Sequence, residues 1–446
     1  MIDLSFGHLN LQGRMKRAEA DTQADTSLLG SKRAWFMVTC AGVFYCYQFV
    51  IRVFPNVLNN EIMTALGIDA AAFGLMVGFY YWTYSGMQIP LGITMDKFGP
   101  RRLLSLAGFI CGIACFIFSM TTNFYVAGFA RFMMGMGAAS GLLGTIKLGT
   151  MWFPPQKIGN VIALAMVLGT SGAALGGPPL RYLIDTVGWQ GALQVLGVVG
   201  LAIGTIIFIF VRNTPSGDMP VRTGPKEHMF GGLKRVLKSP QAWFISGFST
   251  LMYAPMIIMG DAWSVPFIES IYGIGKTEAA LINTSLFLGA ALGSPVYTTL
   301  SDRLRSRRIP MYIGGLTSLS VYMIVVFVHG IPLSVMYALF FIAGFSYTAK
   351  CLCFASMTEI MPPSSSGVSV GFSNMLVMAC GAFYHPLVGK MLDLSWNGLM
   401  VDGHPVYNEV DYRYALAVIP ICLSLSLFML GFIKETHPAR PRRLND

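Results

Sequence analysis

Apolar residues in this chain do not alternate with polar ones or recur along one narrow stripe. They form long blocks, at about 34–58, 73–95, 102–122, 124–153, 158–184, 188–211, 241–271, 279–300, 309–329, 332–361, 365–393 and 413–433. An α-helix of roughly twenty apolar residues is long enough to cross the hydrocarbon core of a bilayer. Twelve blocks therefore predict an all-α membrane protein with twelve transmembrane helices. Residues 1–33 are polar and of mixed charge, with no apolar core of a signal peptide. The first block is expected to stay as a membrane helix.

The blocks divide six and six around a basic, Gly- and Pro-containing stretch, and the two groups echo each other. Ala34-Trp35-Phe36 and Tyr45 recur 208 residues later as Ala242-Trp243-Phe244 and Tyr253. Pro154-Pro155, Gly159, Pro178 and Asp185 recur at the same offset as Pro362-Pro363, Gly367, Pro386 and Asp393. Asp96-Lys97 with Arg101-Arg102 recurs 206 residues later as Asp302-Arg303 with Arg307-Arg308. Six helices per copy make the two copies enter the membrane in the same direction. Two parallel repeats of this kind enclose a site near mid-membrane and rock about it, which points to a transporter. The expected organisation is a tail over 1–33, a six-helix bundle over 34–211, a linker over 212–240, a second bundle over 241–433 and a tail over 434–446.

Composition agrees: 54% of the 446 residues are hydrophobic and only 12% charged, about half the charged fraction of a soluble protein. The net charge of +10 records topology rather than nucleic-acid binding. With the N-terminus placed in the cytoplasm, 23 of the 31 Lys and Arg residues fall in tails and even-numbered loops, and only Lys276 and Arg413 on the other side. That is the positive-inside bias, so both termini are expected to be cytoplasmic. The eight cysteines all lie inside apolar blocks and read as small buried hydrophobes. Nothing in the sequence suggests a metal site, a cofactor, a Walker loop or a nucleophile elbow, so neither an enzyme nor a primary pump is expected. The one Asn-x-Ser/Thr match inside a block, Asn283-Thr284-Ser285, and the lack of one in a predicted outer loop favour a bacterial inner membrane.

Between the second and third blocks stands GITMDKFGPRR, residues 92–102. It resembles the signature loop of the major facilitator superfamily, G-x-x-x-D-R-x-G-R-R, with Lys97 in place of the usual Arg. Gly92, Asp96, Lys97, Gly99, Arg101 and Arg102 carry the likeness, and Asp302 and Arg303 belong to the second copy, which lacks the glycines. The resemblance implies a loop that latches the two halves in the outward-facing state. In the same way Gly92 is expected to let the second helix approach a neighbour. ARFMMGMGAASG at 130–141 is similar to the family's fourth-helix motif, in which the arginine, here Arg131, has been linked to coupling; capping of backbone carbonyls near the outer surface is the other reading. GAALGGPP at 172–179 matches the antiporter motif only in part and predicts a bend. Within the family the chain looks closest to the anion–cation symporter group and to the lysosomal dipeptide transporter with its bacterial relatives. Arg52, Lys147 before WFPP, Gly188-Trp189 and APMIIMGDAWSVPFI at 254–268 carry that likeness.

Charges inside a bilayer are costly and normally face a cavity or a partner. Arg181 with Asp185, and Lys390 with Asp393, are spaced to pair along one helix. In the sequence, no acidic residue stands three or four positions from Arg52, Lys147 or Lys350, so none has an obvious ion-pair partner along its own helix. Tyr45, Gln48 and Arg52 share one face of the first helix. The resemblance implies that helices 1, 4, 7 and 10 line the cavity, and these carry Arg52, Arg131 with Lys147, Asp261 with Tyr253, and Lys350. An excess of cations there suits a carboxylate or phosphate, which Arg grips bidentately. Arg52 thus reads as an anion clamp, with an Arg52–Asp261 salt bridge between halves and snorkelling to the surface as the other readings. Asp261, His385, Glu359 and Arg131 are the candidates for proton coupling.

These features predict a secondary transporter for a small carboxylated solute, an amino acid or short peptide, with lipid, solute and protons as its partners. The substrate site would comprise Arg52, Tyr45, Gln48, Lys147, Lys350, Asp261 and Tyr253. Transport of organophosphates or dicarboxylates, export of drugs or siderophores, and a transporter-like sensor are the competing readings.

Overall fold

The computed structural model describes residues 29–154, 157–215, 229–362, 365–401 and 404–437. The expected N-terminal tail lies almost wholly outside these residues, as do much of the linker and the end of the C-terminal tail. Twelve long helices follow in order: α1 Lys32–Val57, α2 Ala70–Phe98, α3 Pro100–Ser119, α4 Phe124–Trp152, α5 Ile158–Leu175, α6 Pro178–Phe210, α7 Pro240–Tyr272, α8 Lys276–Leu304, α9 Arg308–Phe327, α10 Leu333–Ile360, α11 Ser366–Ser395 and α12 Glu409–Gly431. Eleven are long and apolar enough alone to cross a membrane; the twelfth span is α2 counted with the short helix Asn59–Leu66, bent 108° from it. Among the described residues the only strands are two-residue pieces, β1 Met400–Val401 and β2 His404–Pro405, between α11 and α12.

Local chemistry sets the boundaries. Ser31, Asp69 and Asn123 accept backbone N–H groups at the starts of α1, α2 and α4, replacing bonds that a helix N-terminus cannot make internally. Gly99 takes φ +80° between α2 and α3, and Pro100 opens α3, a turn that a side chain at position 99 would strain. The expected bend at GGPP appears as the end of α5 at Gly176–Gly177. Gly188, at φ 76° and ψ 165°, then breaks α6, so Arg181 and Asp185 belong to the segment between these two breaks. α12 starts at Glu409, four residues before the expected block. Arg413, sorted as a loop residue, is therefore helical; it pairs with Glu409 at 2.7 Å and donates to the carbonyls of Val325 and Val326 near the end of α9.

Loop contacts define two faces. On the face holding residues 29–31 and 433–437, Gly30 N–H donates to Trp152, Trp152 Nε1 to Arg212, and Lys434 N–H to Gln241. On the opposite face the first and last six helices meet. The Asp393 carboxylate accepts from Ala70 N–H, Ala71 N–H and Tyr407 Oη. The expected Lys390–Asp393 pair is thus replaced: the carboxylate caps α2 instead, where a helix N-terminus attracts negative charge. Arg181 does pair with Asp185 at 2.5 Å, and also with Glu61, which bonds Lys276 of α8 at 2.6 Å. Gly74 of α2 lies against the His385 carbonyl of α11 so closely that an added Cβ would sit 2.2 Å from it.

Toward the termini face, Gly92 is in open space, with nothing within 4 Å of an added Cβ. The expectation that Gly92 allows a close approach is corrected for this state. The bonds from α2 to α11 at Ser85–Met375 and Gln88–Asn374 stop one turn before Gly92, so the Gly92 position is not pressed on a neighbour.

Candidate functional site

α1, α2 and α7 meet at the centre of the protein. The stripe expected on α1 is present: Tyr45, Gln48 and Arg52 are 6%, 1% and 3% exposed. Arg52 Nη2 lies 2.7 Å from Asp261 Oδ2, and its Nε donates to the same oxygen at 3.0 Å. Nε also reaches Tyr81 Oη at 3.0 Å, and Nη2 donates to Tyr253 Oη at 3.0 Å. Tyr81 Oη in turn donates to Asp261 Oδ2. The rings of Phe49, Tyr81 and Tyr253 lie within 6 Å of the guanidinium carbon. Of the readings for Arg52, the salt bridge across the halves is therefore formed in this state, and the guanidinium does not snorkel. Asp261 Oδ1 remains without a hydrogen-bond partner among the described residues.

Lys350 of α10 is 6% exposed. Its Nζ lies 3.7 Å from the Tyr253 ring centroid and 5.7 Å from that of Phe354. A ring face offers a cation electrostatic attraction without neutralising it. Gln48 accepts from Tyr80 Oη at 2.9 Å. Tyr45 packs edge-on against Phe49 and fills the space beside Gly141 and Gly169. Lys147 is half-buried on α4, nearer the termini face.

Arg131 caps a carbonyl, as one reading held, but in the fully buried interior rather than near the outer surface. Its Nη1 donates to Ile51 at 2.8 Å, and its guanidinium stands 5.1 Å from Phe54 and 4.8 Å from Tyr80. It braces the turn of α1 that carries Arg52. His385 is fully buried, its ring tilted against Tyr81 at 5.4 Å, with no hydrogen-bond partner for either ring nitrogen among the described residues. Glu359 lies elsewhere. It pairs with Arg307 at 2.9 Å and accepts from Thr436 on the termini face. That bond separates it from the Arg52–Asp261 centre.

The loop residues make contacts within their own halves. Arg101 donates to the Phe208 carbonyl at 3.0 and 2.6 Å, and its N–H to Asn213. An added Cβ on Gly99 would collide with Asn213. Lys97 rests on Phe98; Arg102 and Arg303 are exposed. Asp302 pairs with Arg307 at 3.1 Å. The side chain of Asp96 lies outside the described residues.

Sequence reasoning missed Tyr80, Tyr81 and Tyr84, all buried on α2, and Asn56. The signals were present: FYYWTYS places three phenols within about one helical turn, and Asn56 continues the Tyr45–Gln48–Arg52 stripe by one turn.

Helices of this length and apolarity, eleven alone and a twelfth as a bent pair, define an integral multi-pass membrane protein. The chain belongs to the Major Facilitator Superfamily, whose family model matches residues 37–384 and 256–445. It is 22% identical over 275 residues to the probable sulfoacetate transporter SauU of Cupriavidus necator, a match covering 59% of this chain and 64%, under two-thirds, of that relative. It is 22% identical over 408 residues to the probable galactarate/D-glucarate transporter GudP of Escherichia coli, covering 83% of this chain and 89% of the relative. Among solved structures it is similar to a bacterial homologue of the human lysosomal transporter Spinster, in an inward-facing and unoccupied conformation. That likeness has a TM-score of 0.75 at 18% identity, over 91% of this chain and 98% of the other.

Proposed function

We propose that this protein carries a small carboxylated solute, an organic-acid anion, across a bacterial inner membrane by alternating access, with both termini cytoplasmic. One observation carries the reading: Arg52, buried among phenols, already holds a carboxylate, that of Asp261. A substrate carboxylate offers the same group to the same donors. Lys350, set against the rings of Tyr253 and Phe354, supplies a second positive pole. The names of the relatives above, transporters of sulfoacetate and of galactarate or glucarate, support an acid as cargo. Asp261 also gives a route for protons. An anion entering beside it adds one negative charge, and a proton on Asp261 offsets that charge, so proton and anion travel together.

A second reading, an amino acid or short peptide, draws on the unpartnered Oδ1 of Asp261, which an ammonium group would satisfy.

Reconstituted protein tested by counterflow distinguishes the two, with tartrate, galactarate, sulfoacetate, alanine and dialanine as probes, wild type beside Arg52→Ala. Exchange of the acids, abolished in the variant, supports the first reading. Exchange of alanine or dialanine alone supports the second. Equal exchange in wild type and variant removes Arg52 from the site.

A further inference from the structure

α7 is not one continuous α-helix. Pro240–Pro255 is α-helical, Met256–Trp263 is wound as a wider π-helix, and Ser264–Tyr272 is α-helical again. A π-turn pairs each N–H with the carbonyl five residues before it. Ser264 N–H keeps this pattern with Met259. At the next position the ladder passes to side chains: Val265 N–H donates to Asn56 Oδ1, the Gly260 carbonyl accepts from Asn56 Nδ2 and also from Asn283 Nδ2 of α8 at 3.2 Å, and Pro266 has no N–H with which to continue the turn. Unpaired backbone groups in a dry interior cost on the order of 1–3 kcal/mol each.

Asn56 of α1 spans this position. Its Oδ1 accepts from Val265 N–H at 3.0 Å, and its Nδ2 lies 2.9 Å from the Gly260 carbonyl. The side-chain amide thus stands between the two backbone groups as a spliced-in peptide would. Nδ2 is also 3.0 Å from the Met259 carbonyl and 3.0 Å from Ser264 Oγ, and Asn56 is 1% exposed. Asp261 is the residue immediately after Gly260, inside the spliced turn. Arg52 is one helical turn before Asn56 on the same face of α1. The Arg52–Asp261 bond and the Asn56 splice are therefore neighbouring contacts between the same two helices. Asn56 and Ser264 are moreover equivalent positions at the 208-residue repeat offset. Contact between equivalents is what a two-fold axis imposes on residues lying at it.

We propose that Asn56 is a positioning residue: it splices this turn of α7 so that Asp261 faces Arg52, and the ion pair and the closed opposite face form and break together. This rests on the alternating-access reading above. When α1 and α7 part, the Asn56 amide leaves, the turn rewinds or takes up water, and Asp261 turns away from Arg52. Release of the ion pair and opening of the face become one event.

Hydrogen–deuterium exchange of the purified full chain, without any solute, tests this. Asn56→Ala is expected to raise exchange about tenfold or more in 257–266 and at the ends of α2 and α11 on the opposite face, leaving α3 and α6 unchanged. Asn56→Ser serves if Asn56→Ala does not fold. The swap Asn56→Ser with Ser264→Asn keeps polar side chains at the crossing but moves the amide off the splice, so it gives the same rise. Adding Asp261→Asn to Asn56→Ala adds little further exchange, because the pair is already released. A uniform rise over all helices, full restoration by the swap, or additive effects with Asp261→Asn would each overturn the proposal. No solute enters the experiment, so failure of every acid in counterflow would count against the substrate reading and leave this result intact.

Discussion

Tyr253 serves two cations at once. Arg52 Nη2 donates to its hydroxyl at 3.0 Å, while Lys350 Nζ lies 3.7 Å from its ring centroid. The two interactions use different parts of one side chain, and substitutions separate them. Tyr253→Phe removes the bond to Arg52 and keeps the ring under Lys350. Tyr253→Leu removes both. A hydrogen bond to a charged group contributes about 1.5–3 kcal/mol and a desolvated cation–π contact about 2 kcal/mol. Anion affinity is expected to fall roughly tenfold or more in the Phe variant and roughly tenfold further in the Leu variant. Titration of the acid found active in counterflow measures both; equal losses would mean that the ring does not hold Lys350.

The Arg52–Asp261 pair predicts an asymmetry between stability and transport. Arg52→Ala leaves a carboxylate buried with no charge partner, which costs about 3–5 kcal/mol. Arg52→Ala with Asp261→Asn removes both charges and is expected to recover most of that loss. Neither variant is expected to transport. Thermal unfolding in detergent beside counterflow reads the two effects. A double variant as unstable as the single one would show that the loss comes from packing rather than from the stranded charge.

How much of this was legible beforehand depended on the range of each signal. The spans could be read because a bilayer demands uninterrupted apolar length, and a block such as 309–329 matches α9 within two residues at each end. The stripe Tyr45–Gln48–Arg52 was legible because helical spacing is local. The partner of Glu359 was not: Arg307 lies 52 residues earlier, and nothing in the spacing favours it over solvent. Asp393 misled for the opposite reason. Lys390 sits at pairing distance along its own helix, but the N-terminus of α2, over 300 residues away in sequence, offers two N–H groups in fixed geometry. The bonds from Asn56 to the π-turn of α7 were hidden because the amide and the turn lie over 200 residues apart in sequence.

On the opposite face, Glu61 bonds Lys276 across the halves while also holding Arg181. These groups are 13–24% exposed, so each pair contributes only about 0–1 kcal/mol to overall stability. An equilibrium between two near-equal states responds more visibly, since about 1 kcal/mol is a fivefold change in population. Glu61→Gln is expected to leave the melting temperature within a degree or two, while favouring the state open on this face. Trp189 lines a cavity of about 430 Å³ with Glu61 and Lys276. Its iodide quenching, taken as the difference from Trp189→Phe, should rise in Glu61→Gln. Unchanged quenching would mean that the pair does not hold the face shut.

On the termini face, the carboxylate of Glu435 caps α9 from outside that helix. It accepts from Ser306 Oγ, from Arg307 N–H at 2.8 Å and from Arg308 N–H at 3.4 Å, as well as from the N–H groups of Thr436 and His437. Burial alone would raise its pKa, but the Ser306 hydroxyl and these N–H groups hold it below the ordinary value near 4.5. A depressed folded-state pKa means that the unfolded chain binds the proton more readily. The stabilisation is therefore complete above about pH 5 and is lost as pH falls from the unfolded value through the folded one. Glu435→Gln keeps the shape and removes the charge that favours a helix N-terminus. It should lower stability at pH 7 by about 1 kcal/mol. The gap between variant and wild type should narrow as pH drops below 4.5 and close once wild-type Glu435 is protonated. Melting temperatures of the two proteins from pH 7 to pH 3 check this. A gap that stays constant over that range would mean that the cap works through shape alone.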